Sequence, residues 1–451
     1  MVLPTVAWAQ NGLLKREGSA TIGHQIEAGE YVIPNTFFGM HINSLSTPWP
    51  NAYFANQRLE GSDVNWWNLE VGPGKYDYTY LDQWIALAQQ HNVTLTYTFA
   101  GVPQFYSSVP DDATCAFNTG ACHPPKDLNE DGSGTDASFQ NFVTDLVRHN
   151  AALGNPIQYW EMWNEPDQAK LWIPTCVVLN NCQFPLRYAQ LIRMAKDASA
   201  IIKAANPNAL ILTPAPVGYI DGATIWMDNY LKAGGGQYAD VISFHGYVNR
   251  WVMGNFPFAE NEDKFIHEMK GVVARNGQQA KPLWVSEGGW GNIILDGFDN
   301  AVLQAAFLAR YTLLLQSLGI ARSYWYQWDQ PGGAGTLWQG PAAAAGNMRL
   351  AGYAYNSIVN WTMGATLTSA CTTLKRTTVW VCKYARSTPA NYQAIIVWDT
   401  RKSSTYGVIK KFTQYCDLKG NVTAVRRKTV HIGIWPILLE NGNLGQGACQ
   451  Q

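Results

Sequence analysis

Two glutamates, Glu165 and Glu287, stand at the ends of apolar runs that are typical of buried strands. Glu165 belongs to "YWEMWNEPD", residues 159–167, and Glu287 to "PLWVSEGGW", residues 282–290. A strand that ends for structural reasons alone more often ends on Gly, Asp or Ser. Two carboxyl groups facing one pocket can cleave a glycosidic bond, because one protonates the leaving oxygen while the other attacks the anomeric carbon. This pair is therefore the candidate catalytic pair.

Polar and aromatic side chains stand near the ends of several other apolar runs, and Arg58 stands near the start of its run. In a barrel of parallel strands such positions face one common mouth. They are His41 on the first run, Arg58 on the second, Asn164 on the fourth, His245 and Tyr247 on the sixth, and Trp325 and Trp328 on the eighth. For His41 a structural role remains open, since its ring could simply hydrogen-bond within the mouth.

The elements that must position these residues alternate along the chain. Between about residues 37 and 330, eight short apolar runs such as "VTLTYTFAG" and "DVISFHGY" are separated by amphipathic stretches such as "YLDQWIALAQQH". Strands that alternate with helices predict a parallel sheet, and eight such units predict an α/β fold of the (β/α)8 TIM barrel type. The first unit is irregular, because "NSLSTPWPNAYFAN" shows no convincing helical period.

The pattern changes after "YAYNSIVNWTMG". Residues 365–445 contain short alternating runs such as "TTVWVCKYA" and "YQAIIVWDT", with turns between them and no helical period. These runs predict a C-terminal antiparallel β-sandwich. The predicted organisation is an N-terminal segment with short strands at 1–34, the barrel at 35–362 and the sandwich at 363–451. The strands of the N-terminal segment could join either the base of the barrel or the sandwich.

The motifs "WNEP", "FHGY" and "VSEGGWG", in this order, resemble those of the clan A glycoside hydrolases. The earlier run "RLEGSDVNWWNLEVGPGKYDYTYLD", which leads to "YTFAGVPQFYS", is similar to family 39 and its relatives. The resemblance covers roughly residues 35–362. It implies a retaining O-glycoside hydrolase in which Glu165 is the acid/base, Glu287 is the nucleophile and Asn164 touches the 2-hydroxyl of the sugar.

The resemblance also implies roles for residues around the pair. Arg58, His245 and Tyr247 would attend the nucleophile. Trp325 would form the floor of the sugar subsite, with Trp328 as the second choice. An acid that works near neutral pH needs a raised pKa, which an apolar wall and a nearby carboxylate can supply.

Charge and composition exclude some classes of function. The formal net charge is −1 and 14% of residues are charged, so no basic patch for nucleic-acid binding is expected. No apolar stretch is long enough to predict a membrane span. The 19 Trp and 22 Tyr favour a carbohydrate partner, because aromatic rings stack on sugars, although a large aromatic core is the alternative. We expect a monomer without cofactor or catalytic metal.

Six of the eight cysteines form close pairs in the sequence, Cys416 and Cys449 remain, and none has the CxxC spacing of a zinc site. The predicted disulfides are Cys115–Cys122, Cys176–Cys182, Cys371–Cys382 and Cys416–Cys449. Disulfides indicate a secreted or extracytoplasmic protein. The "AWA" before Gln10, which resembles the tail of a signal peptide, and the sequons at Asn92, Asn360 and Asn421 are compatible with that.

The run "DLNEDGSG", residues 127–134, has two interpretations. It begins like a calcium loop, but Ser138 stands at the twelfth position, where an EF-hand requires Glu. A polar loop that caps a helix starting near Ser138 is the interpretation we favour.

The substrate is the least determined feature. Several aromatic residues near strand ends favour binding of more than one sugar unit, and hence internal cleavage of a β-linked oligo- or polysaccharide. They are Trp49, Trp66, Trp67, Phe105, Tyr106, Trp172, Trp251 and Trp290. The alternatives are an exo-acting, xylosidase-like β-glycosidase and a carbohydrate-binding barrel that has lost catalysis. A metal-dependent amidohydrolase would need an H-x-H strand end, which the chain lacks.

Overall fold

The computed structural model describes residues 31–173, 186–218, 222–248, 258–291, 300–329, 335–340, 347–401, 403–442 and 447–450. Four predictions concern residues outside these ranges: the signal-peptide remnant, most of the N-terminal segment, the Cys176–Cys182 disulfide and the platform role of Trp251.

Strands and short helices make up most of the described chain. The strands are β1 (Tyr31–Val32), β2 (Phe38–His41), β3 (Asn56–Leu59), β4 (Glu70–Gly72), β5 (Lys75–Tyr76), β6 (Thr94–Thr98), β7 (Ile157–Glu161), β8 (Leu210–Leu212), β9 (Ile242–His245), β10 (Leu283–Gly288), β11 (Arg322–Trp325), β12 (Thr366–Thr373), β13 (Val379–Arg386), β14 (Tyr392–Asp399), β15 (Ser404–Gly407), β16 (Gln414–Cys416), β17 (Val422–Ala424), β18 (Thr429–Ile432) and β19 (Ile437–Glu440). The α-helices are α1 (Trp66–Leu69), α2 (Thr79–Gln90), α3 (Ala137–Ala152), α4 (Leu186–Ala205), α5 (Ala223–Lys232), α6 (Asn261–Arg275), α7 (Ala301–Ser317) and α8 (Leu350–Thr362).

Eight parallel strands form a nearly closed barrel, which confirms the predicted (β/α)8 architecture. Their order is β8-β7-β6-β3-β2-β11-β10-β9, and a bridge between Leu212 and Val241 brings the two ends of the sheet together. Strands β2, β3, β9, β10 and β11 are buried along their whole length, because side chains fill the barrel on one face and helices cover the other. As predicted, residues 42–55 after β2 contain no helix.

The helices follow the expected amphipathic pattern, with one informative exception. In α2, Leu81, Trp84, Ile85 and Ala88 are buried, which is the single apolar stripe of a helix lying on a sheet. Helix α7 instead buries every residue from 304 to 316. It is enclosed because the barrel covers one side and the C-terminal sheet approaches the other, where Tyr384 donates a hydrogen bond to Gln316 at 3.2 Å.

The C-terminal region is a seven-stranded sheet with the order β1-β12-β13-β14-β19-β16-β17 and antiparallel pairing, and it confirms the predicted antiparallel sheet. Alternate residues of β14 face opposite layers. Ile396 and Trp398 join the main core shared with the barrel helices, whereas Ile395 and Val397 pack against a second layer. That layer includes the two-stranded ribbon of β15 and β18.

The N-terminal strand and the domain limits follow from this sheet. Strand β1 pairs with β12, so the described end of the N-terminal segment joins the sandwich and not the barrel. Helix α8 ends at Thr362 and β12 begins at Thr366. We keep 35–362 and 363–451 as the proposed limits of the two domains.

Three of the four predicted disulfides lie within the described residues and are confirmed: Cys115–Cys122, Cys371–Cys382 and Cys416–Cys449. None of the helices in the described part of the chain combines the length and the apolarity needed to cross a membrane.

Candidate active site

The C-terminal ends of four barrel strands bring most of the predicted polar residues together. Arg58 lies in β3, His245 ends β9 and Glu287 lies in β10. Glu165 follows β7 in the chain, and its N–H donates to the Ala215 carbonyl at 2.9 Å. Its φ of 41° is in the left-handed region, which costs on the order of 1–3 kcal/mol for a residue with a side chain. Such backbone strain is typical of functional sites.

The guanidinium group of Arg58 is the centre of the site and is fully buried. Its Nη1 donates to Glu287 Oε2 at 2.7 Å, its Nε to Glu161 Oε2 at 2.7 Å and its Nη2 to Asn164 Oδ1 at 2.8 Å. Burial acts to lower the pKa of Arg58, but the carboxylates of Glu161 and Glu287 outweigh it and raise that pKa. Arg58 therefore stays charged and links the strand-four and strand-seven residues.

Glu287 accepts a hydrogen bond on each of its carboxylate oxygens. Oε2 receives the Arg58 donor, and Oε1 receives the Tyr247 hydroxyl at 2.8 Å. Burial and then the charge of Glu287 raise the pKa of Tyr247 well above its ordinary value, so the tyrosine keeps its proton and remains a donor. Two donors from opposite sides orient this carboxylate.

Glu165 has a different environment, because its partner is a neutral imidazole. His245 Nδ1 lies 2.8 Å from Glu165 Oε1. Burial lowers the pKa of His245 to about 4. The charge of Glu287 opposes this shift, and the charge of Arg58 adds to it. The Nε2 of His245 faces the Arg58 Nη2 donor at 3.4 Å, so we place the ring proton on Nδ1, which then donates to Glu165. A proton carried by Glu165 would accordingly lie on Oε2.

The two carboxyl groups face each other at short range. One carboxylate oxygen of Glu165 lies within 4.8 Å of one oxygen of Glu287, and a ring nitrogen of His245 lies within the same distance of both. Retaining glycosidases hold their carboxyl groups about 5–5.5 Å apart, whereas inverting enzymes need about 6.5–9.5 Å to admit water. The observed arrangement has the dimensions of the retaining class.

His41 lies beneath the site rather than at its surface. It is fully buried, and its Nε2 lies 3.1 Å from the Ser286 carbonyl, one residue before Glu287. Burial and then the nearby Arg58 lower the pKa of His41 well below its ordinary value. The neutral ring donates a hydrogen bond to that carbonyl and so helps to hold β10 in place. These contacts agree with the structural role left open for His41.

The two predicted platform tryptophans are buried, and the tyrosine near them is not. Trp325 is 3% exposed and donates to Gly335, and Trp328 is 0% exposed and donates to Pro48. Tyr326 is half-buried, and its ring centre lies 5.1 Å from that of His41. Burial and then the charge of Glu287 raise the pKa of Tyr326. The platform role predicted for Trp325 or Trp328 stays a prediction, and Tyr326 is more exposed than either tryptophan of this strand end.

Two carboxyl groups of the site, Glu60 and Glu161, were not predicted from the sequence. Glu161, at the end of β7, pairs with Arg58 and also accepts from Thr98 Oγ1 at 3.0 Å. Glu60 is buried, and its pKa is raised to about 8, mainly by burial and further by Glu287 and Glu165, against the opposing charge of Arg58. A pattern could have found Glu60, because it stands two residues after Arg58 and strand residues two apart share a face.

A depression of about 300 Å³ opens beside Asn164 and Glu60. One side is the loop closed by Cys115–Cys122, and the other is the segment after β7. The two are tied together, because Ala116 donates to the Lys170 carbonyl at 2.8 Å and Ile173 to the Cys122 carbonyl at 2.6 Å. The remaining lining includes Asn65, Trp67, Phe117 and Leu171. The depression thus lies next to Asn164, and a disulfide closes the loop that forms one of its walls.

Two groups of described side chains have the spacing of metal ligands. One contains Asp112, His123 and two cysteines, but the cysteines are joined as a disulfide and cannot act as thiolates. The other is the catalytic trio, where Arg58 and Tyr247 already donate to Glu287. Neither donor set favours a cation.

The predicted polar loop at 127–134 caps a helix. Asp127 accepts from the Ser138 N–H at 2.9 Å and from its hydroxyl at 2.7 Å, at the start of α3. Arg193 donates to the carbonyls of Gly132 and Gly134, both at 3.2 Å. The carbonyl at the seventh position, that of Ser133, which a calcium loop would use, accepts instead from the Asn129 N–H at 2.8 Å.

No protein-family model and no curated protein matches this chain, but solved glycoside hydrolases share its structure. A family 39 glycoside hydrolase from the gut symbiont Bacteroides cellulosilyticus has 18% identity and a TM-score of 0.62, over 90% of this chain and 82% of that chain. A family 30 endoxylanase from Clostridium papyrosolvens has 12% identity and a TM-score of 0.56, over 94% and 98%. A monomeric β-xylosidase from Caulobacter crescentus has 13% identity and a TM-score of 0.57, over 90% and 96%. The resemblance to family 39 and its relatives thus holds at the level of the fold.

Proposed function

We propose that this chain is a retaining O-glycoside hydrolase that acts by double displacement on a β-linked carbohydrate. One observation carries the proposal: two carboxyl groups on the fourth and seventh barrel strands approach within 4.8 Å in different environments. A solvated surface pair would not need a buried arginine, a protonated tyrosine and a neutral histidine around it. The shared fold supports the same conclusion.

In the first step Glu287 attacks the anomeric carbon. The bond from that carbon to the leaving oxygen breaks as Glu165 delivers its proton to this oxygen, and a glycosyl ester of Glu287 remains. Arg58 and Tyr247 orient the nucleophile through their hydrogen bonds. Because Arg58 occupies Asn164 Oδ1, the amide N–H groups of Asn164 are left to donate to the sugar 2-hydroxyl.

In the second step Glu165 acts as a base. Esterification removes the negative charge of Glu287, and the Glu165 carboxylate takes a proton from water while the water oxygen attacks the anomeric carbon. The ester bond breaks, Glu287 is released as a carboxylate and the sugar keeps its configuration. His245 donates to Glu165 in this state and holds it in position.

The shape of the cleft supports internal cleavage of an oligo- or polysaccharide. The depression is lined by Asn164, Trp67, Phe117 and Lys170, and these side chains could contact sugar units beside the cleaved bond. One observation favours the exo-acting alternative: Trp66, Trp172 and Trp290 of the predicted aromatic row are buried and unavailable for stacking. The time course of products separates the two, since internal cleavage releases mixed oligosaccharides early and exo action releases only monosaccharide.

We further propose that the protein works outside the reducing cytoplasm. The disulfides within the described residues support this, because such bonds persist in oxidising compartments. Recovery of free thiols at these positions in protein isolated from its native compartment would count against it.

The covalent intermediate provides the test of function. Incubation with 2,4-dinitrophenyl 2-deoxy-2-fluoro-β-glycosides should add one fluorosugar to the protein, and peptide mass spectrometry should place it on Glu287. The matched control Glu287→Gln should stay unlabelled. A label on another carboxylate would refute the assignment of the nucleophile. Binding of oligosaccharide without label or turnover of any aryl glycoside would favour the carbohydrate-binding alternative.

A further inference from the structure

Charge is segregated between the two domains, although the formal net charge of −1 conceals it. Of the 32 Lys and Arg residues, 12 lie between positions 365 and 451, but only three of the 33 Asp and Glu residues do. The net charge of the whole chain therefore does not describe the sandwich, which is basic.

The three carboxylates of the sandwich are engaged by neutral donors. Asp399 accepts from the hydroxyls of Thr378 and Ser404. Asp417 accepts from backbone N–H groups of its own turn. Glu440 accepts from Tyr392 and Gln414. The described ion pairs include none between Asp417 or Glu440 and a cation of the sandwich.

Five of the cations are gathered by the fold into one place, which we call the cation cluster. Two backbone hydrogen bonds join the segments that carry them: Val408 donates to the Lys428 carbonyl at 2.7 Å, and Val425 to the Thr413 carbonyl at 2.8 Å. Between these two bonds the two segments, residues 408–413 and 425–428, lie side by side. All five side chains are exposed, and among the described residues none forms an ion pair with a carboxylate. The cluster consists of Lys410, Lys411, Arg426, Arg427 and Lys428.

We propose that the cation cluster is a binding site for an anionic polysaccharide, separate from the catalytic cleft. Like charges held together repel one another, and an incoming polyanion relieves that repulsion while it releases its own counterions. Lysine and arginine on adjacent segments can contact carboxylate or sulfate groups on successive sugar units.

Two other polyanions fit the surface less well. Single-stranded nucleic acid is bound with aromatic stacking, but the only ring in the two segments, Phe412, is buried. A membrane surface is bound through several inserted apolar residues, but Ile409 is the only large apolar side chain of these segments that is exposed. The choice of a carbohydrate also rests on the proposed function, since the barrel of the same chain would act on one. The cluster would then hold the enzyme on an acidic polymer while the cleft works.

Isothermal titration of the whole protein tests the site, with polygalacturonate, dextran sulfate and neutral dextran as probes. We expect binding to the two acidic polymers and none to dextran, and Kd should rise at least about tenfold between 50 and 200 mM NaCl. Substitution of all five cluster residues by Gln should weaken binding at least about tenfold. The matched control removes five barrel charges instead and should bind normally: Lys75→Gln, Lys126→Gln, Arg148→Gln, Lys196→Gln and Lys264→Gln. Both variants should hydrolyse a neutral aryl glycoside like the parent, which verifies that they fold.

Each other outcome has one meaning. Glu287→Gln should keep polymer binding while it loses turnover, so failure of the catalytic proposal would leave this site standing. Equal binding by the cluster variant and the control variant would overturn it. Tighter binding to an oligo(dT) strand or to vesicles containing phosphatidylserine would overturn the choice of polysaccharide. Salt-sensitive self-association in sedimentation velocity, abolished in the cluster variant, would instead identify the acidic barrel of a second copy as the occupant.

Discussion

At the scale of residues, the environments of the two carboxyl groups that we propose as catalytic separate their roles. Glu287 faces a permanent cation and a tyrosine hydroxyl, so both its oxygens are held by donors. Glu165 faces a histidine that burial keeps neutral, so this histidine holds it by a hydrogen bond and not by a positive charge. A nucleophile must attack as a carboxylate, whereas an acid must first hold a proton. Burial and one arginine therefore distinguish two side chains of the same type.

The acid role of Glu165 predicts a dependence on the leaving group. Glu165→Ala should lower kcat/KM about 10²–10⁴-fold for substrates with basic leaving groups, because no group then protonates the departing oxygen. Dinitrophenyl glycosides should be affected far less in the bond-cleaving step, since their leaving group departs without a proton. A plot of log kcat/KM against leaving-group pKa checks this, with the exposed Glu130→Ala as control. A uniform loss across the series would argue against the acid role.

The buried carboxyl group of Glu60 predicts a pH dependence of stability. Its pKa is raised to about 8 in the folded protein, mainly by burial, whereas in the unfolded chain it should be about 4.3. Between these values the folded state holds a proton that the unfolded chain has released, so the contribution of Glu60 to stability falls as pH rises from about 5 to about 8. Glu60→Gln lacks this titration. The difference in Tm between Glu60→Gln and the parent should shift in favour of the variant across this window.

The exposed Glu130→Gln serves as the control for that measurement and should show no such trend. A constant difference in Tm from pH 5 to pH 8 would show that Glu60 does not hold its proton in the folded state.

At the scale of elements, the residues at the strand ends and the loops closed by disulfides shape the cleft of the barrel. Strand β7 places Glu161 against Arg58 and leads directly to Glu165. The Cys115–Cys122 loop and the segment after β7 exchange backbone hydrogen bonds and form one wall. In the sandwich, Cys371–Cys382 joins neighbouring strands, while Cys416–Cys449 ties the C-terminal segment to β16.

The two sandwich disulfides should contribute unequally to stability. Cys416–Cys449 closes a separation of 33 residues and Cys371–Cys382 one of 11. The loop-entropy relation gives about 4 kcal/mol for the first and about 3 kcal/mol for the second. Denaturant unfolding of the paired Cys→Ala variants should therefore show the larger loss for Cys416 and Cys449. The reverse order would show that strain or structure in the unfolded chain, and not loop length, sets the contribution.

At the scale of the whole molecule, the barrel and the sandwich share a core. Helix α7 is buried between them, the Cys371 N–H donates to Ser317 Oγ at 2.7 Å, and the Trp398 indole donates to Glu260 at 2.9 Å. A helix that is apolar on all sides needs cover on all sides. The sandwich is therefore part of what keeps the barrel folded, in addition to the binding role proposed for its cation cluster.

Removal of the sandwich should consequently destabilise the barrel. A chain that stops after Gly364 would expose the outer face of α7, so we expect it to unfold without a cooperative transition or to aggregate. Circular dichroism melting and limited proteolysis, compared with the full chain, measure this. A truncated barrel that melts cooperatively near the Tm of the parent, and that hydrolyses aryl glycosides, would show that the two domains are independent.

Sequence alone determined the fold class and singled out the carboxyl pair that we propose as catalytic. Period and alternation are local properties, and Glu165 and Glu287 each lie in a recognisable strand-end motif. Distances and burial depend on contacts between residues far apart in the chain, and these the tertiary structure decided. Only the fold could show that the two carboxyl groups come within 4.8 Å of each other, that burial raises the pKa of Glu60 to about 8, and that Trp328 is closed off while Tyr326 is not. The cation cluster, too, was visible only in the tertiary structure. A net charge is a sum over the whole chain and carries no positions, whereas the hydrogen bonds between two antiparallel segments place five positive side chains next to one another.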